Sequence, residues 1–400
     1  MKKLLLIISL LFYIGQTTAF AAQNQVTLQL FWKHQFEFAG YYAAKDHGFY
    51  EDAGLDVKIR EYQSGMDVNE EVLSDRAEFA TVSSSATKNY LEGQPIKLLA
   101  NIFKHSALVL LSHRDAGIRR PDDLYGKRLM LTAQERTAVE FISFFAKNGI
   151  DPEKLSFVDH NFDPMAIVDG SADVMSAYIT NQPFILQQNN IPYNILDPAV
   201  YGVDFYGDCL ITSAKLSEED PELVKVFKEA SLKGWDYALQ HPEEIIELIL
   251  NEYNTSNKSR DALRYEATET AKLILPEIYP LGSIAPERLR RIANAINEAG
   301  IGKSVSDIES FIFGLEYEPT NEDTATEDSK LSVKMFTQIA LIFISVIIVV
   351  FLLLRFLSKA SKKSDEFTFQ KKKYLIIIII ALFLAFTVLL TRIVLLGIFR

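Results

Sequence analysis

Residues suited to gripping a small molecule recur in this chain at one kind of place, where a short apolar strand pattern gives way to a turn or a helix. Trp32 and His34 follow the alternating Val26, Leu28 and Leu30. Ser83, Ser84 and Ser85 follow the apolar run 79–82, and Thr132 follows the run 128–131. Tyr178 and Asn181 close the run 174–177, and Asp208 stands just before 209–212. An indole face can stack on a flat heterocycle. Serine and threonine at a helix start cap it while neighbouring backbone N–H groups point into the space above the strand. His34 can donate a hydrogen bond, Tyr178 and Asn181 can complete a pocket, and a carboxylate such as Asp208 can pair with an amine. Each residue also has a plainer role. Trp32 can fill a strand end, His34 can sit solvated in a turn, the hydroxyl residues can be caps only, and Asp208 can belong to a hinge turn.

This chemistry is binding rather than bond-making. The chain has no G-x-S-x-G, Walker loop, H-E-x-x-H or C-x-x-C pattern. Its six histidines are scattered, with no i, i+4 pair to hold a metal on a helix. The single cysteine, Cys209, can close no internal disulfide. No catalytic residue, metal or cofactor is expected.

The elements that must position these residues alternate strand and helix. A strand over 26–32, a polar turn at 33–35, a helix from 38 to 47 ended by Gly48, and a strand over 55–59 make a right-handed crossover unit. Ligands of open α/β sheets bind at the edge where Trp32 falls. Strands follow at 79–82 and 96–103, with a first crossing into a second lobe near 107–111. That lobe carries strands at 128–131, 156–158 and 174–177, with a helix opened at 132–134. A strand at 209–212 returns the chain to the first lobe, and four helices follow from Asp220 to 299. Tyr41, Tyr42, Trp235 and Tyr237 read as helix packing. The expected body is an α/β protein of two lobes, 22–105 with 205–316 and 106–204, hinged at two crossings around a cleft.

The ends differ from the body. Lys2 and Lys3, an apolar core and Ala19-Phe20-Ala21 read as a secretory signal over 1–21. Residues 317–333 form an acidic tether, and 335–354 and 374–399 are apolar runs long enough to span a bilayer. The loop between them, 355–373, holds seven of its nine charges as Lys or Arg, including Lys371, Lys372 and Lys373. By the positive-inside rule it is cytoplasmic, which predicts an inner-membrane protein with its large domain exported. Residues 22–333 carry 29 basic and 50 acidic side chains, a net of −21. Such a body repels nucleic acid and anionic membrane surfaces but not a small ligand held in a closed cleft.

Five segments together carry a resemblance: FAGYYAAKDHGFYEDAGLDV after the tryptophan and turn, then AEFA, DDLYGKRL, SADVMSAY and GWDYALQHPEE. Over about residues 24–315 the chain resembles the SsuA-like and thiamine-pyrimidine-precursor group of periplasmic solute-binding proteins. The resemblance implies a type II periplasmic-binding fold serving ABC importers of sulfonates, pyrimidines or related molecules. Close variants of the domain also resemble the extracellular inputs of membrane sensors with kinase or cyclase outputs. One branch resembles thiamine pyrimidine synthase, which places a lysine and a histidine just after the strand matching 79–82 and carries a cysteine cluster. Here those stretches read Val82-Ser83-Ser84-Ser85-Ala86 and Tyr206-Gly207-Asp208-Cys209-Leu210, without the lysine or histidine and with one thiol.

The expectation is a membrane-tethered solute-binding protein for a small heterocyclic or polar metabolite, working with an ABC permease. The rival reading is a ligand-sensing input to a separate signalling partner. A synthase is the third.

Overall fold

Val26 and Leu28 turn one face of β1 (Asn24–Gln29) inward and pair in parallel register with Val57 and Ile59 of β2 (Leu55–Arg60). In the computed structural model, which describes residues 24–301 and 307–315, this pair begins a five-stranded sheet. β3 (Phe79–Val82) and β4 (Ile96–Asn101) belong to it, and β10 (Cys209–Ser213) runs antiparallel between them, giving the order β2-β1-β3-β10-β4. The second sheet repeats the plan. β5 (Leu108–His113), β6 (Arg128–Met130), β7 (Ser156–Val158), β8 (Val174–Tyr178) and β9 (Tyr193–Leu196) stand in the order β7-β6-β8-β5-β9, with β5 antiparallel to both neighbours. In each sheet the antiparallel strand is the one delivered by a crossing.

The two crossings are hydrogen-bonded to each other. Ser106 N–H donates to Phe205 O at 3.0 Å and Gly207 N–H to Phe103 O at 2.9 Å. A Cβ on Gly207 would stand 2.7 Å from His105 O, so only glycine lets the crossings approach this closely. His105 pairs with Asp204 at 2.6 Å, and Arg288, from the helix Pro286–Glu298, pairs with the same carboxylate at 2.9 Å.

The motif glycines are packing devices. The helix Ala39–Asp46 lies against Pro221–Gln240 so closely that a Cβ on Gly40 would fall 2.2 Å from Trp235, and one on Gly234 would fall 2.1 Å from Gly40 O. Trp235 and Tyr41 are buried in this contact, edge to face at 5.9 Å, so FAGYY and GWDY are two halves of one helix–helix interface.

The differences from the sequence reading are local. The helix expected from Thr132 onward begins at Val139. Residues 135–137 form a 3-10 turn, and Ala138 is extended (φ −65°, ψ 136°), which breaks the continuity. Neither β9 nor β5 was anticipated: residues 107–111, expected to be the first crossing, lie almost wholly in β5, and the chain crosses just before it, around 103–106. The last turn of the helical region 242–253 is a π-helix, Ile249–Tyr253, a form that often marks functional positions. The signal, tether and two apolar runs fall outside the described residues. Among the described residues no helix is long and apolar enough to cross a membrane.

Candidate functional site

At the end of β1 the Trp32 ring lies 36% exposed, stacked on Tyr62 at 5.7 Å and 18°. Phe162, from the loop after β7 in the other lobe, faces it at 5.9 Å. Phe162 is half-exposed and has φ +63°, a conformation that a bulky side-chain-bearing residue holds at a cost. His160 supports it. Its Nδ1 accepts the Phe162 N–H at 2.9 Å while Nε2 bonds Ser176 O at 3.1 Å, which fixes the tautomer with hydrogen on Nε2. Beside this cluster lies a cavity of about 400 Å³, lined from the first lobe by Phe31, Met66, Val82, Ser83 and Ser85 and from the second by Gln134. Its volume falls in the range of small-molecule sites.

The remaining sequence candidates divide. Ser84 leaves its helix uncapped and instead donates to Glu140 of the second lobe, which also accepts from Ser106 at 3.0 Å. Burial pushes the Glu140 carboxyl upward, and the two serine hydroxyls oppose that shift. Ser83 and Ser85 bond each other at 3.0 Å at the cavity wall. Thr132 forms a reciprocal cap with Glu135, at 2.8 and 3.1 Å, so its hydroxyl is occupied. Asn181 accepts Lys258 Nζ from the first lobe at 3.1 Å.

His34 does not line the cavity. It folds back on its own lobe, with Nδ1 2.8 Å from Tyr42 OH and its ring 5.1 Å from that of Tyr253. Burial lowers its pKa, so the ring is held neutral. Its backbone N–H bonds Glu61, which also receives Thr255 Oγ1 at 2.7 Å. The turn is therefore packed rather than solvated.

Tyr178 packs against two of the hydrophobic clusters among the described residues, one in the first lobe and one that spans both, half-buried, as Phe31 does. Burial and the charges of Glu37, Asp208, Glu140 and Glu135 push its hydroxyl well above the ordinary tyrosine range. Asp208 is buried against Glu37, and burial followed by each carboxyl's acidic neighbours raises both. Glu266 is fully buried nearby, with Lys258 at 3.6 Å. The cleft thus has an aromatic mouth, and a group of buried acidic side chains lies near Tyr178. Sequence reasoning missed Tyr62, Phe162, Glu37, Glu140, Lys258 and Glu266. One signal was available: Glu37 lies between Phe36 and Phe38 inside a buried pattern, an expensive place for a charge.

Three curated relatives align over most of the body. The riboflavin-binding protein RibY of Chloroflexus aurantiacus is 25% identical over 236 residues, covering 57% of this chain and 66% of that protein, just under two thirds. The formylaminopyrimidine-binding protein of Halalkalibacterium halodurans is 23% identical over 264 residues, 64% of this chain and 80% of that one. The 4-amino-5-hydroxymethyl-2-methylpyrimidine phosphate synthase of Legionella pneumophila is 24% identical over 235 residues, 57% and 73%. Among solved structures, the periplasmic aliphatic sulphonate binding protein SsuA from Escherichia coli superposes with a TM-score of 0.57 at 12% identity, covering 72% of this chain and 97% of that one. That likeness gives the fold, the α/β fold of periplasmic binding proteins with its two sheets. The profile of the family described as NMT1/THI5 like matches residues 35–245, and the chain belongs to that family.

Proposed function

We propose that the chain is a solute-binding protein, not an enzyme, that captures a flat, nitrogen-bearing heteroaromatic solute between its lobes. The observation that carries this is the aromatic mouth, with Trp32 backed by Tyr62 on one lobe and Phe162 opposite on the other. Two relatives are named for flat-ring ligands, riboflavin and a formylaminopyrimidine. The synthase reading lacks the lysine and histidine after β3. Export, membrane tethering and supply of an ABC permease remain part of this reading on the strength of residues 1–21 and 317–399.

The test is a titration of the purified chain with riboflavin, a 4-aminopyrimidine and an alkanesulfonate, read by calorimetry and tryptophan fluorescence. Of the two tryptophans, Trp235 is fully buried, so quenching reports Trp32. Binding of a ring compound with quenching is expected. Folded protein that binds none of the three overturns the reading.

A second reading, a sensory input, is favoured by the helix Pro286–Glu298. It packs on Ser85–Leu91 of the first lobe and on Val139–Lys147 of the second, and Arg288 ties it to the second crossing. A change of lobe angle therefore moves this helix, which precedes the tether. Co-purification with a kinase or cyclase rather than a permease would support it.

A further inference from the structure

The cavity beside Trp32 has one charged lining residue, Asp67, and among the described residues no lysine, arginine or histidine lines it. Its other polar groups are neutral, the hydroxyls of Ser83 and Ser85 and the amides of Asn69 and Gln134. The turn that carries Asp67 is tied to the aromatic mouth. Tyr62, stacked on Trp32, accepts the Gly65 N–H through its hydroxyl at 3.3 Å. Asp67 is exposed, so it meets whatever enters the cavity. Its Oδ1 accepts the N–H groups of Asn69 and Glu70 at 3.0 and 3.3 Å, capping the helix Val68–Leu73. The cap holds the side chain in place and leaves Oδ2 outside both bonds.

An anionic group in this cavity would need a cation or free backbone donors, and the backbone donors nearest to hand are occupied. At the start of Val68–Leu73 the Asn69 and Glu70 N–H groups go to Asp67 Oδ1, and that of Glu71 goes to Asp67 O at 3.3 Å. At the start of the helix Ser85–Leu91 the Ser85 N–H goes to Ser83 Oγ at 3.3 Å. Those of Ala86 and Thr87 go to Ser83 O and Ser84 O, each at 3.1 Å. The Ser83 hydroxyl donates to Ser85 Oγ at 3.0 Å. Helix starts hold anions through N–H groups left unsatisfied, and these are satisfied from within the chain. The cavity therefore offers neutral amides and hydroxyls beside one carboxylate, which only accepts. That set suits a ring with N–H groups and opposes a phosphate, whose charge finds no counterion among the lining residues.

We infer that this cavity admits a ring solute in its unphosphorylated form and excludes the phosphate ester of the same ring, with Asp67 as the residue that sets the preference. This rests on the solute-binding reading above and adds a charge requirement to it. The probes are two pairs that differ by one phosphate, a hydroxymethyl-4-aminopyrimidine with its phosphate ester and riboflavin with flavin mononucleotide, titrated into the whole chain by calorimetry. In whichever pair binds, the ester should be weaker by about tenfold or more, the effect of one nearby like charge in partly screened surroundings. Asp67→Asn should close most of that gap. Asparagine caps a helix as well as aspartate does, so the charge is removed and the cap kept. Asp67→Lys should reverse the preference. Glu229→Gln removes an equal charge from the exposed side of the helix Pro221–Gln240 and should leave the gap as it was. That helix covers the opposite face of the sheet, where Phe227 stacks on Phe79, while Val68 and Val72 cluster with Ala80 and Val82. Should Asp67→Asn fail to fold, the unaltered chain is titrated at about 0.05 M and about 0.5 M salt, because screening narrows a gap set by charge. Esters that bind as tightly as their parent compounds overturn the inference. So does a gap that Asp67→Asn or salt leaves unchanged, which would make size the cause. Each of these outcomes leaves solute binding intact, whereas folded protein that binds none of the four compounds overturns both.

Discussion

Ser84 in one lobe donates its hydroxyl hydrogen to Glu140 in the other, and Ser106 at the first crossing donates to the same oxygen. A buried carboxylate fed from both sides is a clasp holding the lobes together. Hydrogen bonds to charged groups contribute roughly 1.5–3 kcal/mol. Ser84→Ala should therefore favour the open form and weaken ligand affinity by about tenfold, read by calorimetry, with a larger radius of gyration in small-angle scattering. An unchanged radius and affinity would show that the clasp does not govern closure.

Phe162 offers a way to separate binding from stability. Its positive φ is costly for phenylalanine and free for glycine. Phe162→Gly should hold or raise the melting temperature while weakening a ring ligand by about tenfold, in line with roughly 0.5–1.5 kcal/mol for an aromatic pair beyond the area it buries. Phe162→Tyr should bind nearly as the original. If Phe162→Gly melts lower, the loop is held by packing of the ring and not by its place opposite Trp32.

The contact between Gly40 and Trp235 leaves no space for a methyl group. Gly40→Ala and Gly234→Ala should each destabilise the chain by about 1–3 kcal/mol or more through overpacking. The measurement is a denaturant midpoint that falls at unchanged slope.

Burial pushes Glu37 up to about 8 from an ordinary 4.5. Between those values the folded chain binds more protons here than the unfolded chain, so stability falls as pH rises through this window. Thermal melts should show a decline from about pH 5 to pH 8 that is shallower in Glu37→Gln, because the amide has no proton to lose. A slope that is identical in the variant would mean that other groups set the pH dependence.

Much of this was legible from residue order. The alternation of Val26, Leu28 and Leu30 located the first strand, and its end located Trp32. The positions before β10 and after β8 drew attention to Asp208 and Asn181. What could not be read were partners brought from far along the chain. Glu37 meets Glu266 across 229 positions of sequence and Asn181 meets Lys258 across 77, and no local period encodes either. The start of the helix Val139–Lys147 was misplaced because Thr132 and Glu135 satisfy each other as a cap does, yet close only a 3-10 turn. His34 reads in sequence as a ligand donor or a solvated turn residue because its neighbours are polar, while Tyr42 and Tyr253 cover it in space.

The order β2-β1-β3-β10-β4 has a consequence for assembly. β4 has no neighbouring strand in its sheet except β10, and 107 residues separate the two, including every strand of the second sheet. A chain delivered from its N-terminus therefore completes the inserted lobe while Ile96–Asn101 still exposes both edges, and the host lobe closes only when Cys209–Ser213 arrives. For that interval the apolar segment is open to pairing with other chains, so the nascent protein is most in need of a chaperone between making its fourth strand and its tenth.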